Sequence, residues 1–218
     1  MGTGEYLEAA YKLASGGAAV PVPALAESLH VAVGSANEMV RKLAGRGLVL
    51  YEPYHGVSLT EEGRRQAVSV IRRHRLWERL LTDYLEMPWD EVHEEACRLE
   101  HVTSPVLEER LSRFLGAPDS CPHGDAMPTA DGELTEREHT TIGEMQPGQE
   151  AQVVHVPEED GALLRYLDTL DLRPSHLVTV LTMAPFGGPV TIRVGDRARV
   201  IAKELADRID VQLLGEGR

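Results

Sequence analysis

Residues 23–60, PALAESLHVAVGSANEMVRKLAGRGLVLYEPYHGVSLT, decide the fold. Pro23 suits the first turn of a helix, where its missing N–H costs nothing, and PALAESLH follows from it. Val31 to Gly34 make a short turn. The next helix runs through SANEMVRKLAGRG, with Ser35 as its N-cap and Ala36, Met39, Val40 and Leu43 at helical spacing. Gly47 ends it. LVLYEPYHGVSLT alternates around a turn at Pro53 to Gly56, which predicts a two-stranded hairpin.

Working outward, Tyr6, Leu7, Ala10, Tyr11 and Leu13 predict a helix over 5–15, and GGAAVPVP breaks it. Thr60, followed by Glu61, Glu62 and Gly63, opens a long helix over 61–86 that Pro88 stops. The order helix, helix–turn–helix, hairpin, helix is that of a winged helix-turn-helix, which sets its third helix in the DNA major groove. A small helical packing module of the same order is the plainer alternative. EVHEEACRLEHVTS and, from Pro105, VLEERLSRFLG predict further helices whose apolar faces exceed what a lone wing domain needs; pairing of two chains would cover them. Residues 116–139 are rich in Pro, Gly and Asp and read as a linker. From 140 onward QEAQVVHV, HLVTVLTM, VTIRVGDRARVIA and RIDVQLL are β-rich, with the short helix LLRYLDTLDL among them, which predicts a small, partly open barrel of about five strands. The expected class is mainly α with a C-terminal β domain: a winged helix-turn-helix over 1–70, a helical domain over 71–135 and a small barrel over 140–218.

The 218 residues are 42% hydrophobic and 26% charged, enough to bury a core. No apolar run approaches the ~20 residues of a membrane span, and the opening MGTGEYLEAAYKL has no basic region followed by an apolar stretch. Only two cysteines are present, so a disulfide framework is excluded and a reducing cytoplasm is expected. The net charge of −13 argues against nucleic acid, but its distribution does not. Residues 1–73 hold 8 basic and 7 acidic side chains, while 74–218 hold 14 and 28. A near-neutral N-terminal segment can approach phosphate, and an acidic remainder can hold cations.

Nine histidines occur. His74 and Glu78 stand one turn apart on one predicted helix, and His93, Cys97, Glu100 and His101 form a stripe on the next. Glu5 and Glu8 share a face of the first helix. A lone Glu/His pair is ordinarily solvated decoration, and Glu5 and Glu8 taken alone merit no more. A free Cys is usually core, yet a core position is not flanked on its own face by two His and a Glu. Helices presenting carboxylate, imidazole and thiolate to one another make a metal site. Cys121, Pro122 and His123 lie in the linker and could bind metal, but a linker without other ligands reads as a turn. His93-Glu94-Glu95-Ala96-Cys97 begins like the zinc-hydrolase H-E-x-x-H but lacks the second imidazole, and no nucleophile elbow, P-loop or dinucleotide fingerprint occurs. An enzyme is therefore not expected. The alternatives to a metal sensor are a winged-helix regulator that responds to an organic ligand or to Cys97 oxidation, and a metal-dependent hydrolase with Glu94 as base.

RRHRLWERLLTDYLEM (72–87) followed by VHEEACRLEHVTSPVLEERL (92–111) resembles the diphtheria toxin repressor family of metal-dependent transcriptional repressors. EYLEAAYKL, the helix-turn-helix ending in GLV, CPHGDAMP and a C-terminal barrel fit in order, so the resemblance spans essentially the whole chain, including an SH3-like domain related to FeoA. It implies two metal positions per subunit. Cys97, Glu100 and His101 with Glu5 carry the primary one; His74, Glu78 and His93 carry the ancillary one, to which Glu159 and Asp160 of the barrel add oxygen. Iron-type members have Met at the position of Glu5, whereas manganese-type members have an acid there but Glu at Cys97, so the chain is a hybrid. Hard oxygen donors favour Mn²⁺ and the thiolate admits Fe²⁺, so Mn²⁺ is expected first and Fe²⁺ second. The resemblance further implies a homodimer that binds palindromic double-stranded operator DNA, with no membrane association. Ser35, Asn37 and Glu38 face base edges, and Arg41, Lys42, Tyr54 and His55 face the backbone.

Overall fold

The computed structural model describes residues 2–14, 18–134, 139–157 and 160–214. They form two compact units, one of Met1–His74, Cys97–Glu109 and Pro128–Leu134, the other of Arg75–Ala96, Arg110–Met127 and Thr135–Arg218. The division falls within α4 (Glu61–Asp83), α5 (Val92–Glu100) and α6 (Pro105–Phe114).

The first unit opens with α1 (Thr3–Leu13), α2 (Val22–Ser28) and α3 (Val33–Gly45), then the hairpin β1 (Val49–Glu52) and β2 (Gly56–Leu59), and α4. Ala36, Val40 and Leu43 on α3 are at most 1% exposed and pack with Leu7, Leu25, Leu48 and Val57. Truncating Leu43 in such a core costs about 2–5 kcal/mol. The hairpin turns where Pro53 and Gly56 predict it, with Tyr54 at φ 68° and fully exposed at the tip. Val20, in the segment read only as a break, exchanges two backbone hydrogen bonds with Val57 (2.8 and 2.9 Å) and so extends the wing.

Ser35 is not the N-cap of α3. The helix begins two residues earlier, behind an extended Ala32 with no side-chain cap, and Ser35 lies in its first turn. The apolar face sets the helix axis, and the exposed first-turn residues leave their amides to solvent rather than to a capping oxygen. Other ends shift for similar reasons: α1 spans Thr3–Leu13 rather than 5–15, α4 closes at Asp83 rather than 86, and α5 closes at Glu100, leaving His101 just past it. Thr60 does cap α4, its Oγ1 accepting from Gly63 N–H at 3.1 Å.

The second unit contains a six-stranded antiparallel sheet: β3 (Thr140–Thr141), β4 (Glu150–His155), β5 (Leu177–Met183), β6 (Val190–Val194), β7 (Arg197–Ile201) and β8 (Asp210–Leu213), in the order β3-β8-β4-β5-β6-β7. Helices α7 (Gly161–Thr169) and α8 (Lys203–Ala206) complete it. Alternation buries Ala151 and Val153 of β4 and Val190, Ile192 and Val194 of β6 on one face. Register shifts at Val153/His155 and Val180/Thr182 bend the strands, as bulges do.

Residues 118–127 are not a solvated linker. Ser120 bridges Ala126, Cys121 N–H donates to Asp125 O at 2.9 Å, and Val156 N–H donates to His123 O at 2.9 Å. Cys121 and His123 are 1% and 0% exposed. The turn lies against β4 because Gly124 has φ +103° and no side chain; a Cβ there would stand 1.9 Å from Val154 O. Gly124→Ala is therefore expected to destabilise the protein by more than about 1 kcal/mol, read as a lower thermal midpoint.

Candidate metal centre

In the first unit five titratable side chains converge from α4, from α5 and the residue just past it, and from α1. His74 of α4 places Nδ1 2.7 Å from Glu100 Oε2 and 3.9 Å from Cys97 Sγ, both on α5. His101 Nε2 lies 3.4 Å from Glu100 Oε1 and 3.8 Å from Oε1 of Glu5 on α1. His101 lies over Gly4, where a Cβ would approach its Cε1 to 3.3 Å, so the small residue lets the ring reach Glu5. Glu5 also accepts from Gly2 N–H. Burial raises the pKa of the neighbouring Tyr6 phenol, and the Glu5 charge adds to this. Glu8, predicted with Glu5, lies 3.2 Å from Lys12 Nζ one turn on.

Burial makes this set unusual. Glu100 is 1% and His74 3% exposed, and a carboxylate removed from water is costly unless compensated by charge and hydrogen bonds. Carboxylate oxygen, imidazole nitrogen and thiol sulfur here suit a divalent transition metal.

The second unit holds another set. Glu78 of α4, Cys121 and His123 each offer a ligand atom, all within 4.8 Å of one another, and all three residues are buried. Glu78 Oε1 lies 3.8 Å from His123 Nδ1 and 3.8 Å from Nδ1 of the half-exposed His93. Cys121 Sγ lies 4.0 Å from His123 Nδ1 and 3.7 Å from Asp125 Oδ2. The far side of the His123 ring fixes its chemistry. Nε2 stands 2.9 Å from Trp89 O, and a carbonyl only accepts, so Nε2 carries the proton. In the neutral ring Nδ1 then presents its lone pair toward Glu78 and Cys121, as an outer hydrogen bond does for a ligating histidine. Trp89 stacks on the ring at 5.6 Å, and Arg75 holds the turn through Asp125 at 2.8 Å. The buried donors fit a metal here too.

The two sets regroup the predicted residues. His74 meets Glu100 and Cys97; Glu78 meets His93 and also His123 and Cys121, which in the sequence could bind metal but read as a turn. Asp160 caps α7, its Oδ1 accepting from Ala162 N–H at 2.8 Å, and Glu159 lies outside the described residues. On α3, Ser35, Glu38, Arg41 and Lys42 are exposed. Asn37 is held by Val33 O (3.0 Å) and by the Tyr51 hydroxyl of β1 (3.2 Å). Among the described residues no helix is long and apolar enough to cross a membrane.

Comparison with known proteins accounts for nearly the whole chain. Residues 2–57 match the model described as iron dependent repressor, N-terminal DNA binding domain. Residues 60–129 match iron dependent repressor, metal binding and dimerisation domain, and 140–213 match the FeoA domain. The iron-dependent repressor IdeR of Mycobacterium leprae (strain TN) is 31% identical over 220 residues, 95% of each chain. The diphtheria toxin repressor of Corynebacterium glutamicum is 40% identical over 124 residues, 56% of this chain and 54% of that one. A solved manganese-dependent transcriptional repressor in complex with manganese superposes with a TM-score of 0.84 at 32% identity, covering 98% of this chain and 100% of the other.

Proposed function

The chain belongs to the iron-dependent repressor family, that of the diphtheria toxin repressor, and from this premise we propose that it is a homodimeric, cytoplasmic repressor whose operator affinity is set by Mn²⁺, with Fe²⁺ as the second candidate. One contact carries the reading. Glu5, in the segment matching the DNA-binding domain, approaches His101, in the segment matching the metal-binding and dimerisation domain, to 3.8 Å.

A bound divalent cation supplies the positive charge and directional coordination that such gathered carboxylates call for. Glu5, Cys97, Glu100 and His101, with His74 behind Glu100, hold it in one set. Glu78, His123, Cys121 and His93 hold a second, with Asp160 and Glu159 as further oxygen donors. The carboxylates of Glu5 and Glu100 repel when neither is compensated, which loosens α1 from α5. When they are compensated, α1 is tied down and α3 takes a fixed position. The helical segment 71–135 then sets the separation of two α3 helices, so that Ser35, Asn37 and Glu38 meet base edges and Arg41, Lys42 and Tyr54 meet phosphates of a palindromic site. The donor set is mainly oxygen and nitrogen, hence Mn²⁺ first; Cys97 and Cys121 are the softer ligands that admit Fe²⁺.

The test is anisotropy of a labelled duplex that the protein itself selects from a random pool in Mn²⁺. A coupling of about 1–3 kcal/mol predicts that Mn²⁺ tightens binding roughly 5–150-fold over the same titration in chelator. Equal affinity in both, or no selected sequence, ends the proposal.

A further inference from the structure

The first unit carries a cleft of about 430 Å³ that the DNA-facing residues of α3 do not line. Arg46, just past α3, lines it with Thr3 of α1 and with Arg65, Gln66, Ser69 and Arg73 of α4, and His101 of the first metal set closes one side. No carboxylate is among its described lining residues, in a chain where Asp and Glu outnumber Lys and Arg by 35 to 22. Three guanidiniums around one concavity focus a positive field there.

The cations are not equally engaged. Arg46 Nη1 donates to Thr3 Oγ1 at 2.9 Å, which holds it over the first turn of α1, where the helix start carries partial positive charge. Arg65 pairs with Glu62, an exposed pair of the kind that exchanges readily with solvent and solutes. Arg73 is the telling one. Its Nη1 reaches Thr103 O only at 3.5 Å, and its Nε is buried with no hydrogen-bond partner among the described residues. A buried donor without an acceptor is a cost that a native structure rarely carries without purpose.

We propose that this cleft binds a small multivalent oxyanion, a phosphate ester or polycarboxylate, between Arg46, Arg65 and Arg73, as an effector site that borders the metal set at His101 but is held by the three guanidiniums. The planar guanidinium fork matches the paired oxygens of phosphate and carboxylate, and the hydroxyls of Thr3 and Ser69 add neutral donors. The concavity lies between α1 and α4, whereas the exposed cations Arg41 and Lys42 of α3 are the ones suited to the backbone of a duplex. An occupant bridging Arg46 to α4 would restrain the end of α3, so anion binding and DNA binding are linked. Nothing in this depends on a bound metal.

The test is calorimetric titration of the metal-free full chain with inorganic pyrophosphate at constant ionic strength. Saturable binding is expected in the wild type, weakened at least tenfold in Arg73→Gln and in Arg46→Gln, and unchanged in Arg197→Gln on β7. Thermal melts check that the variants fold. If Arg73→Gln does not, Arg73→Lys keeps the charge but loses the fork, and is expected to weaken binding in a folded protein. Absence of saturable binding, or equal binding in the wild type and in both cleft variants, overturns the proposal. A second arm titrates non-specific duplex against salt. If pyrophosphate fails to bind while each cleft variant lowers the slope of log affinity against log salt by about one, the cleft holds a DNA phosphate and the small-oxyanion proposal is overturned.

Discussion

Glu100→Gln is expected to weaken Mn²⁺ binding by about 100-fold or more, and to leave DNA affinity the same with and without the metal. Exchange of a residue that only orients a ligand costs 10–100-fold, and Glu100 is proposed as a ligand itself. Its carboxylate is 1% exposed and lies between two imidazoles, Oε2 2.7 Å from His74 Nδ1 and Oε1 3.4 Å from His101 Nε2. Glutamine keeps the volume and one accepting oxygen, so the hydrogen bond from His74 survives. The charge does not, and the other terminus becomes an NH₂ that cannot ligate. Glu100→Ala is the poorer experiment, because it opens a cavity and strips a partner from the buried His74, and a lost site would then be confounded with a damaged fold. Competition with a fluorescent chelator measures the metal, and anisotropy measures the DNA. A Glu100→Gln variant with wild-type Mn²⁺ affinity would sink the first site outright; lost Mn²⁺ affinity with the DNA response intact would instead detach the site from the switch.

What the sequence disclosed, and what it hid, divides along local and non-local physics. Ala36, Val40 and Leu43 declare a helix because one face of a 3.6-residue period is apolar, and they form the centre of the first core. Cys97 and Glu100 are legible for the same reason, since helical spacing brings them to one side of α5, and His101 follows directly after the helix. The hairpin follows from its turn residues, and the C-terminal β domain from its β-rich runs, although the sheet has six strands where about five were expected. Ser35 misled because capping propensity is local, while the buried face of α3 sets where that helix begins. Val20 gave no sign of its pairing with Val57, a bond between segments far apart in the chain. His74 reads with Glu78 from their shared helix; its contacts with Glu100 and Cys97 of α5 are ones that no period within α4 reveals.

Cys121 and His123 are candidate ligands in the sequence, set aside there for want of partners in the linker. Pro, Gly and Asp around them spell a turn, and a turn they form; composition does not tell a turn in solvent from one buried against a strand. Gly124 was the available signal, because a backbone that must pass close to another strand needs a residue with no Cβ. With Glu78 the pair forms a buried carboxylate–imidazole–thiol cluster, and this sets the second expected result. His123→Gln is expected to reduce tightly bound metal from two equivalents per chain to one, lowering the second affinity by about 100-fold or more. Glutamine can still donate to Trp89 O, so the turn keeps its anchor while the nitrogen lone pair facing Glu78 and Cys121 is lost. Co²⁺ provides an independent reading through its thiolate absorption: Cys121→Ser and Cys97→Ser should each remove part of the band, and each the part the other retains. Two equivalents bound at unchanged affinity in His123→Gln, or a Co²⁺ thiolate band that Cys121→Ser leaves intact, would reduce the cluster to a structural turn and return the second site to His74, Glu78 and His93, where the family resemblance placed it.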